Sequence, residues 1–586
     1  MANNFPNILP SFNADFVNGI YVDPRITFTR AGTRTYYGQE VVKAEENLLL
    51  QSQTFDNAAW TKTRLSVTAN TTAAPDGTTT AETLTATAVN DSHFINCAVS
   101  FAGQQVISVF AKAGTLDFIQ IAGGGDVQYF ANFDLSLGVT GTSGTKTTAS
   151  ITAFADGWYR CVVLLDGSST VTGVNFVLVG SDSAARFAFL NAAGTETVFL
   201  WGAQLEQRSF VTAYTPTTTQ PITRYQRQLK TAAANEWPRE FNPVTGECLG
   251  RSVWESRTNL LLRSEELDNA SWAKVAAGDG VIPVVTANQT IAPDGTLSAD
   301  RVDFVRVTAS AGNSSLINSN SNTVTAISYF GTVYIKAATT ADVGKQLNFR
   351  HVSAGAFLVV TLTADWQLVG RVETGVAGSR FMQIGISETL PQTSVSAFIW
   401  GAQVEAGAFA TPYIPTVASQ VTRVADSAVM TGVNFSSWFN PSEGTLFADA
   451  NSVAGGAFRS TLRATDSAAN NFVELGMVTG TNNGQGRYQV NYAGASQVDT
   501  GNVSSPAFVA NTFYKNAASY KVNDFSISRD GAAVVVDTVG SVPLGLDRLE
   551  LGGRHITSAS LLNGYIKRLT YYPQALTAAN LQAITR

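Results

Sequence analysis

The sequence is poor in charge. Only 14% of its 586 residues are Asp, Glu, Lys or Arg, and the formal net charge is −6, whereas about 25% of residues are charged in typical soluble domains. No run of Lys or Arg occurs, so the electrostatic footprint of a nucleic-acid-binding protein is missing. Long solvent-exposed helices are also disfavoured, because they depend on Glu, Lys and Arg. We therefore expect no nucleic-acid partner.

Cysteine and histidine are equally scarce. The three cysteines are Cys97, Cys161 and Cys248. Their odd number and the lack of a Cys-x-x-Cys pair argue against a disulfide scaffold and predict buried free thiols. The three histidines are His93, His351 and His555. Their wide spacing gives little support to a zinc site or to a nucleophile activated by histidine.

Long apolar runs are absent as well. No stretch approaches the roughly 18 apolar residues that a transmembrane helix needs, so no membrane insertion is expected. The N-terminus has neither the basic region nor the apolar region of a secretory signal peptide. The sequence thus predicts a protein without an export signal.

What the sequence does contain is an internal repeat. Residues 47–62 and residues 259–274 are identical at ten of sixteen positions, including an Asn-Leu-Leu-Leu start, Asp-Asn-Ala, a Trp and a Lys. Agreement of this length within one chain indicates a duplicated domain.

Three further motifs recur in the same order. They are Ala-Pro-Asp-Gly-Thr at 74–78 and 292–296, Val-(Phe/Tyr)-(Ala/Ile)-Lys-Ala at 109–113 and 333–337, and Trp-Gly-Ala-Gln-(Leu/Val)-Glu at 201–206 and 400–405. The spacing between motifs drifts, which makes the motifs the framework and the gaps surface loops. Between them lie short β-branched stretches bounded by turn residues, and no sustained helical period. Each copy is therefore predicted to be a β-sandwich of jelly-roll type.

The motifs also resemble a known family. The repeated Asn-Leu-Leu-Leu, Ala-Pro-Asp-Gly and Trp-Gly-Ala-Gln stretches resemble the carbohydrate-binding-module-like jelly rolls of tailed-bacteriophage tail and fibre proteins. The lead-in 15–31 and the connector stretches 241–250 and 255–260 are similar to the same family. Residues 564–577 resemble a concanavalin A-like (laminin G-like) lectin domain.

The fold class expected from these observations is all-β, with three consecutive β-sandwich domains, two of them jelly rolls and one concanavalin A-like. Five segments are predicted along the chain. They are a short N-terminal attachment segment (1–46), jelly-roll sandwich 1 (47–217), an extended connector (218–258), jelly-roll sandwich 2 (259–417) and the concanavalin A-like domain (418–586).

The resemblance implies a bacteriophage virion fibre or spike on the tail or capsid, which binds a host cell-surface glycan during adsorption. It implies a homotrimer attached to other virion proteins through the N-terminal segment. The composition is that of an extracellular β-protein, but no export signal is found. A virion component fits both observations, because it is assembled in the host cytoplasm and is released by lysis. Two alternatives stay open, namely a capsule or lipopolysaccharide depolymerase and a purely structural baseplate or capsid-decoration protein.

Catalysis is not expected. A glucanase on a concanavalin A-like fold needs two carboxylates on one strand, about 5–5.5 Å apart, flanking the scissile bond. The final unit has neither a Glu-x-Asp-x-x-Glu nor a Glu-x-Asp-x-Glu motif, and its acidic residues are scattered singly. We therefore predict that the chain is not an enzyme and assign no catalytic residues.

Candidate carbohydrate-binding residues come from composition. Trp60 and Trp272 lie in polar Asp-Asn-Ala surroundings, where an indole face can stack on a sugar, although a structural role is the preferred interpretation. The other candidates belong to two loops of the last unit. They are Asn482, Asn483, Arg554 and His555.

The Trp-Gly-Ala-Gln motifs predict a strand. Strict alternation places Trp201 and Trp400 on its apolar face with the Ala and the Leu or Val. The Gln and Glu side chains then share the opposite face, solvated or facing a subunit. They are Gln204, Glu206, Gln403 and Glu405. Binding of a sugar or of a structural Ca²⁺ ion is the alternative, since paired oxygens suit a hard cation, and no other cofactor is expected.

Overall fold

The computed structural model describes residues 8–352, 355–387, 389–453, 458–478, 486–500 and 509–586. The candidates Asn482 and Asn483 lie outside these residues. Among the residues described, strands form nearly all of the regular structure, with two short α-helices near the C-terminus. No helix among the described residues is long and apolar enough to cross a membrane.

The N-terminal segment contains three strands. They are β1 (Phe12–Asp15), β2 (Thr27–Thr29) and β3 (Arg34–Asn47). β1 and β2 join sheets of the C-terminal unit, whereas β3 pairs with a strand of the connector.

The first sandwich consists of two six-stranded antiparallel sheets and one two-stranded pair. Its strands are β4 (Trp60–Thr63), β5 (Leu65–Thr72), β6 (Ala81–Ala86), β7 (Asn90–Asp91), β8 (His93–Phe101), β9 (Gln105–Ala113), β10 (Phe118–Gly123), β11 (Phe130–Asp134), β12 (Val139–Ser143), β13 (Thr147–Ala153), β14 (Tyr159–Leu165), β15 (Val171–Leu178), β16 (Leu190–Asn191) and β17 (Thr197–Glu206). The sheet orders are β12-β11-β10-β15-β8-β4 and β13-β14-β9-β17-β6-β5. One apolar core, which includes Ile107 and Phe176, fills the space between them.

The connector carries four strands. They are β18 (Ile222–Ala232), β19 (Glu240–Phe241), β20 (Cys248–Val253) and β21 (Arg257–Asn259). β18 and β3 form a long two-stranded antiparallel ladder, called the ribbon below, with two register shifts. β20 pairs with the last strand of the chain.

The second sandwich repeats the plan with two five-stranded sheets and one pair. Its strands are β22 (Ala273–Ala277), β23 (Gly280–Ile291), β24 (Leu297–Arg306), β25 (Ser314–Asn318), β26 (Asn322–Val324), β27 (Ser328–Ala337), β28 (Gln346–Arg350), β29 (Leu358–Thr361), β30 (Gln367–Thr374), β31 (Gly378–Arg380), β32 (Gln383–Ser387) and β33 (Ser394–Ala406). The sheet orders are β22-β25-β32-β28-β29 and β23-β24-β33-β27-β30.

The C-terminal unit stacks two large sheets. Its own elements are β34 (Val421–Arg423), β35 (Ser427–Thr431), α1 (Val433–Ser436), β36 (Glu443–Ala450), β37 (Phe458–Thr465), β38 (Phe472–Val478), β39 (Gly486–Tyr492), β40 (Ala495–Thr500), β41 (Tyr514–Lys521), β42 (Asp524–Arg529), β43 (Val535–Asp537), β44 (Arg548–Leu551), β45 (Gly564–Tyr572) and α2 (Ala578–Thr585). One sheet runs β19-β20-β45-β36-β41-β42-β43, and the other runs β2-β35-β44-β37-β38-β39-β40. The prediction of an all-β chain of consecutive β-sandwich units is confirmed.

The C-terminal sandwich contains strands from the N-terminal segment, the connector and the C-terminal unit. The predicted domain boundary at residue 418 assigned only the last of these to it. Phe12 pairs with Tyr571 and Phe28 with Ala428, so the segment expected only to attach the chain elsewhere also completes these sheets. A buried ion pair reinforces the junction, with Arg34 Nη2 2.8 Å from Glu240 Oε1. Partners so distant in sequence leave no local signature.

Helix α2 and the cysteines show two local features. Helix α2 begins after Thr577, whose hydroxyl accepts a hydrogen bond from the Asn580 backbone N–H, as expected of an N-cap. All three cysteines are free, with Cys97 and Cys161 buried and Cys248 partly exposed.

Candidate functional site

The two opening tryptophans are entirely inside the protein. Trp60 and Trp272 are each 0% exposed. Their Nε1 atoms donate to the carbonyl oxygens of Gln51 at 3.1 Å and Arg263 at 2.9 Å. Stacking on a sugar requires an accessible ring face, so neither residue acts as a platform in this structure. Their role is to fasten the opening turn of each sandwich, the interpretation that the sequence favoured.

A buried carboxylate supports the same turn in each copy. Glu82 Oε2 accepts a hydrogen bond from the Asp56 N–H at 2.9 Å, and Asp300 Oδ2 accepts one from the Leu267 N–H at 2.7 Å. Burial raises the pKa of Glu82 to about 7 and that of Asp300 to about 6. These carboxylates support the backbone of their turns, with Asp56 beside Glu82 and Asp268 beside Asp300.

The last-unit candidates Arg554 and His555 are occupied by protein contacts. Arg554 Nη2 lies 2.6 Å from Glu474 Oε2, and its guanidinium lies 4.9 Å from the Phe458 ring centroid. His555 Nε2 is 2.8 Å from the Leu551 carbonyl oxygen. These groups fasten their loop to the sheet, and the expectation that they rim a ligand site stays a prediction.

The strand of the Trp-Gly-Ala-Gln motif does not alternate strictly. Gly202 has φ +62, and the pairing with β9 shifts register between Trp201 and Gln204. This bulge turns Trp201 away from the main core, which keeps Leu200 and Ala203, into a smaller cluster on the outer face of the sheet. Trp201 is therefore buried, as expected, but on the opposite face from the one predicted.

The Gln and Glu side chains of the motif lie opposite the core, as expected, but they are fully buried rather than solvated, because the tail of each sandwich covers them. Gln204 Oε1 accepts from the Thr215 N–H at 2.7 Å, and Glu206 Oε2 accepts from the Thr212 N–H at 3.0 Å. Gln403 and Glu405 make the equivalent bonds in the second copy. Their oxygens thus tie down the Thr-rich tail of each sandwich. Within the described ranges, no cluster of three His, Cys, Asp or Glu could hold a metal ion.

Each copy carries an aromatic corner on this outer face. The corner of the first copy consists of Phe110, Trp158, Trp201 and Tyr214, and that of the second consists of Tyr334, Trp366, Trp400 and Tyr413. Equivalent hydrogen bonds hold the two corners. The Trp158 and Trp366 indoles each donate to a carbonyl at 3.0 Å, and the Tyr214 and Tyr413 hydroxyls each lie 2.6 Å from a serine hydroxyl.

The ribbon packs against the second corner. The Tyr37 hydroxyl donates to the Tyr334 hydroxyl at 3.1 Å. The Leu229 N–H donates to the Pro293 carbonyl at 2.8 Å, and Gln226 Nε2 donates to the Ala292 carbonyl at 2.7 Å. Burial raises the pKa of Tyr37 to about 12, so this hydroxyl remains a neutral donor over the physiological range.

Beside these contacts the ribbon and the second sandwich leave a groove of about 560 Å³, called the ribbon groove below. It is lined by Tyr37, Ala44, Glu45, Arg224, Tyr225, Gln226, Arg227, Pro243, Val244, Pro293, Tyr334, Lys336, Ala364, Asp365, Trp366, Gln367 and Leu368. Its volume is within the range of about 300–1,000 Å³ typical of small-ligand sites.

Four charges are linked along one side of the groove. Lys336, almost fully buried on β27, places Nζ 3.1 Å from Glu45 Oε1. The other carboxylate oxygen of Glu45 lies 3.4 Å from Arg224 Nη1, which is also 4.0 Å from Asp365 Oδ1. The Asp365 side chain is 87% exposed. The groove therefore offers a fixed inner carboxylate and an accessible outer arginine and aspartate.

Aromatic surface lies beside these charges. Trp366 is only partly buried, and Lys336 Nζ lies 5.5 Å from its ring centroid. Tyr225 on the ribbon is 62% exposed. The combination of accessible rings and hydrogen-bonding charged groups is suited to a polar ring-shaped ligand with C–H faces.

Sequence reasoning missed this groove. The one available signal was Lys336 in the repeated Val-x-x-Lys-Ala motif, a lysine in an otherwise apolar strand. Glu45, Trp366 and Tyr225 come from three separate segments, and the folded ribbon brings them together.

The fold defines an all-β protein of consecutive β-sandwich units with an aromatic, charged groove beside the second unit. No family model and no curated protein matches the chain. Two solved structures show distant similarity, the N-terminal CBM22-1-CBM22-2 tandem domain of Paenibacillus barcinonensis Xyn10C and Trypanosoma rangeli sialidase in complex with the inhibitor DANA. The first has 10% identity, a TM-score of 0.18 and coverage of 64% of this chain and 100% of its own. The second has 9% identity, a TM-score of 0.20 and coverage of 92% and 98%. TM-scores this low do not define a shared fold.

Proposed function

We propose that this chain binds a carbohydrate in the ribbon groove and serves as a bacteriophage fibre or spike protein in host adsorption. The observation that carries the binding proposal is the ribbon groove itself, where Trp366 and Tyr225 lie beside the linked Lys336, Glu45 and Arg224. Apolar pockets with a few fixed polar groups are the usual form of a small-ligand site.

The chemistry of a sugar fits this lining. A pyranose presents C–H faces that pack against aromatic rings, and its hydroxyl groups both donate and accept hydrogen bonds. Asp365 supplies exposed acceptors and Arg224 supplies exposed donors. Glu45 is fixed by Lys336 before any ligand arrives, so little side-chain entropy is lost on binding.

The virion assignment is supported by the resemblance of the repeated motifs to phage tail and fibre proteins. Residues 1–46 remain the proposed attachment segment. Since β1 and β2 are built into the C-terminal sheets, we place the contact with other virion proteins at the turn between them. Ile20 and Tyr21 project there and are 67% and 88% exposed. A homotrimer is part of the same proposal.

We also propose that the protein binds its glycan without cleaving it. The groove presents two carboxylates, Glu45 and Asp365, and both lie on the same side of it, held by the same Arg224 guanidinium. A glycosidase instead positions two carboxyl groups on either side of the scissile bond.

The test uses the purified full chain on an array of bacterial surface glycans and in competition with phage adsorption. We expect binding to a restricted set of glycans, and we expect Tyr225→Ala to weaken it at least tenfold. Tyr21→Ala removes a still more exposed tyrosine that does not line the groove and serves as the matched control.

Three outcomes separate the alternatives. Inhibition of adsorption without new reducing ends supports a binding protein. Release of reducing ends from the bound glycan identifies a depolymerase. Absence of glycan binding, with no effect on adsorption, favours a structural virion component and overturns the proposal.

A further inference from the structure

A second cavity lies where the first sandwich faces the second. It occupies the aromatic corner of the first copy and is called the inter-sandwich pocket below. Phe110, Tyr214 and Arg160 line it from the first sandwich, and Gln289 and Arg301 line it from the second. The enclosed space is about 60 Å³, room for a few water molecules or a carboxylate group but not for a sugar ring.

Arg160 is the unusual member of this lining. The residue is 9% exposed, its Nη2 donates to Ser108 Oγ at 3.1 Å, and its guanidinium lies 5.3 Å from the Phe110 ring centroid. Within the described part of the chain its Nε has no hydrogen-bond acceptor. Burial lowers its pKa to about 10, so it still carries its charge at neutral pH. A buried guanidinium with an unused donor is costly unless an acceptor completes it.

The carboxylates near Arg160 are committed elsewhere. Glu206 accepts a hydrogen bond from the Thr212 N–H at 3.0 Å and pairs with Arg208 at 3.4 Å. Asp76, which also lines the pocket, accepts from the Thr78 N–H and hydroxyl through Oδ1. Neither carboxylate forms an ion pair with Arg160, so the guanidinium that lines the pocket is available to a ligand anion.

The inter-sandwich pocket is connected to the ribbon groove. A cavity of about 110 Å³ lies between them. It shares Tyr214 and Phe398 with the pocket, and Glu45 and Arg224 with the groove. The three spaces are neighbours along the first sandwich, the ribbon and the second sandwich, and together they are called the cleft below. A chain of several sugar units can lie along such a cleft.

We propose that this cleft selects an acidic oligosaccharide, with the carboxylate of one sugar unit bound by Arg160 and a neighbouring unit in the ribbon groove. The inference rests on the proposed function and adds the class of glycan. A planar guanidinium binds a carboxylate through two parallel hydrogen bonds. Here the low local dielectric strengthens the interaction, and the cost of burying the cation has already been met in the folded protein.

The experiment measures binding of the full chain to matched pairs of glycans. Each pair is a uronate-containing oligosaccharide and its carboxyl-reduced form, in which a hydroxymethyl group replaces the carboxylate. We expect at least tenfold tighter binding of the acidic member. Arg160→Gln should abolish this preference while binding of the reduced member persists.

Arg186→Gln is the matched control. Arg186 is another arginine of the first sandwich with an unused Nε, and its Nη2 donates to the Gly123 carbonyl at 2.9 Å on the other sheet, outside the cleft. This variant should keep the full preference. If Arg160→Gln does not fold, the comparison of the paired glycans on the unmodified chain still tests the proposal.

The outcomes distinguish this inference from the proposed function. Equal binding of both members of each pair, still weakened by Tyr225→Ala, overturns the acidic selectivity and leaves the glycan-binding groove standing. Absence of binding to every glycan overturns both. An acid preference that survives Arg160→Gln shows that another group binds the carboxylate and overturns the role of the inter-sandwich pocket.

Discussion

The ammonium group of Lys336 lies 3.1 Å from the carboxylate of Glu45, although 291 residues separate them in the sequence. Lys336 belongs to the second sandwich and Glu45 to the ribbon. This contact thus joins two units and also forms one side of the ribbon groove. Stability of the ribbon and shape of the groove depend on the same pair.

The first prediction concerns this pair. Lys336→Met keeps most of the apolar stem but leaves Glu45 without its buried partner, and should lower the free energy of unfolding by about 1–3 kcal/mol. Lys230→Met, which breaks the more exposed Lys230–Glu40 pair of the same ribbon, should cost less than about 1 kcal/mol. Denaturant titration measures both, and equal losses would contradict the structural role of Lys336.

The second prediction concerns the opening tryptophans. Trp60→Ala and Trp272→Ala should each destabilise the protein by about 3–5 kcal/mol, because a large buried ring is removed from a packed core. Glycan affinity of the protein that remains folded should be unchanged. Calorimetric unfolding together with a binding titration checks this. A loss of affinity without a loss of stability would restore these residues as binding platforms.

The third prediction concerns pH. Burial raises the pKa of Glu82 to about 7, above its ordinary value of 4.5, so the folded state holds this proton more tightly than the unfolded state. The resulting stabilisation is fully present below about pH 4.5 and is lost as the pH rises to about 7. Glu82→Gln should flatten the loss of stability across this interval. Asp300→Asn should act similarly in the second copy, where the pKa is about 6. Unchanged pH profiles in both variants would refute the assignment.

The fourth prediction concerns the loop of Arg554. Arg554→Ala removes a cation from the fully buried Glu474 and should cost about 1–3 kcal/mol of stability. Arg487→Ala breaks an ion pair with Asp499 whose two side chains are both partly exposed, and should cost less than about 1 kcal/mol. Neither change should alter glycan binding. A selective loss of binding in Arg554→Ala would return that loop to the list of binding sites.

Local and repeated features were predictable from the sequence. The duplicated motifs and the all-β fold depend on neighbouring residues and on the spacing of apolar residues. The bulge at Gly202 was not predictable from alternation, and it reversed the face of Trp201. The burial of Gln204 was hidden as well, because it comes from the tail that folds over this face. The pairing of Phe12 with Tyr571 was also hidden, because long-range strand pairing has no local pattern.

The candidate site was largely hidden for the same reason. Trp366, Tyr225 and Glu45 are unremarkable where they stand in the sequence, and only the docking of the ribbon on the second sandwich brings them into one groove. The repeat draws most attention to Trp60 and Trp272, and both are framework residues. A repeated motif marks what the two copies have in common, and what they have in common is the fold.

The most direct measurement is a crystal structure of the full chain soaked with the tightest-binding oligosaccharide from the array. The account predicts density for a sugar ring beside Trp366 and Tyr225, with hydroxyl groups within hydrogen-bonding distance of Asp365 or Arg224. Sugar density at another surface, with the ribbon groove filled only by solvent, would contradict it.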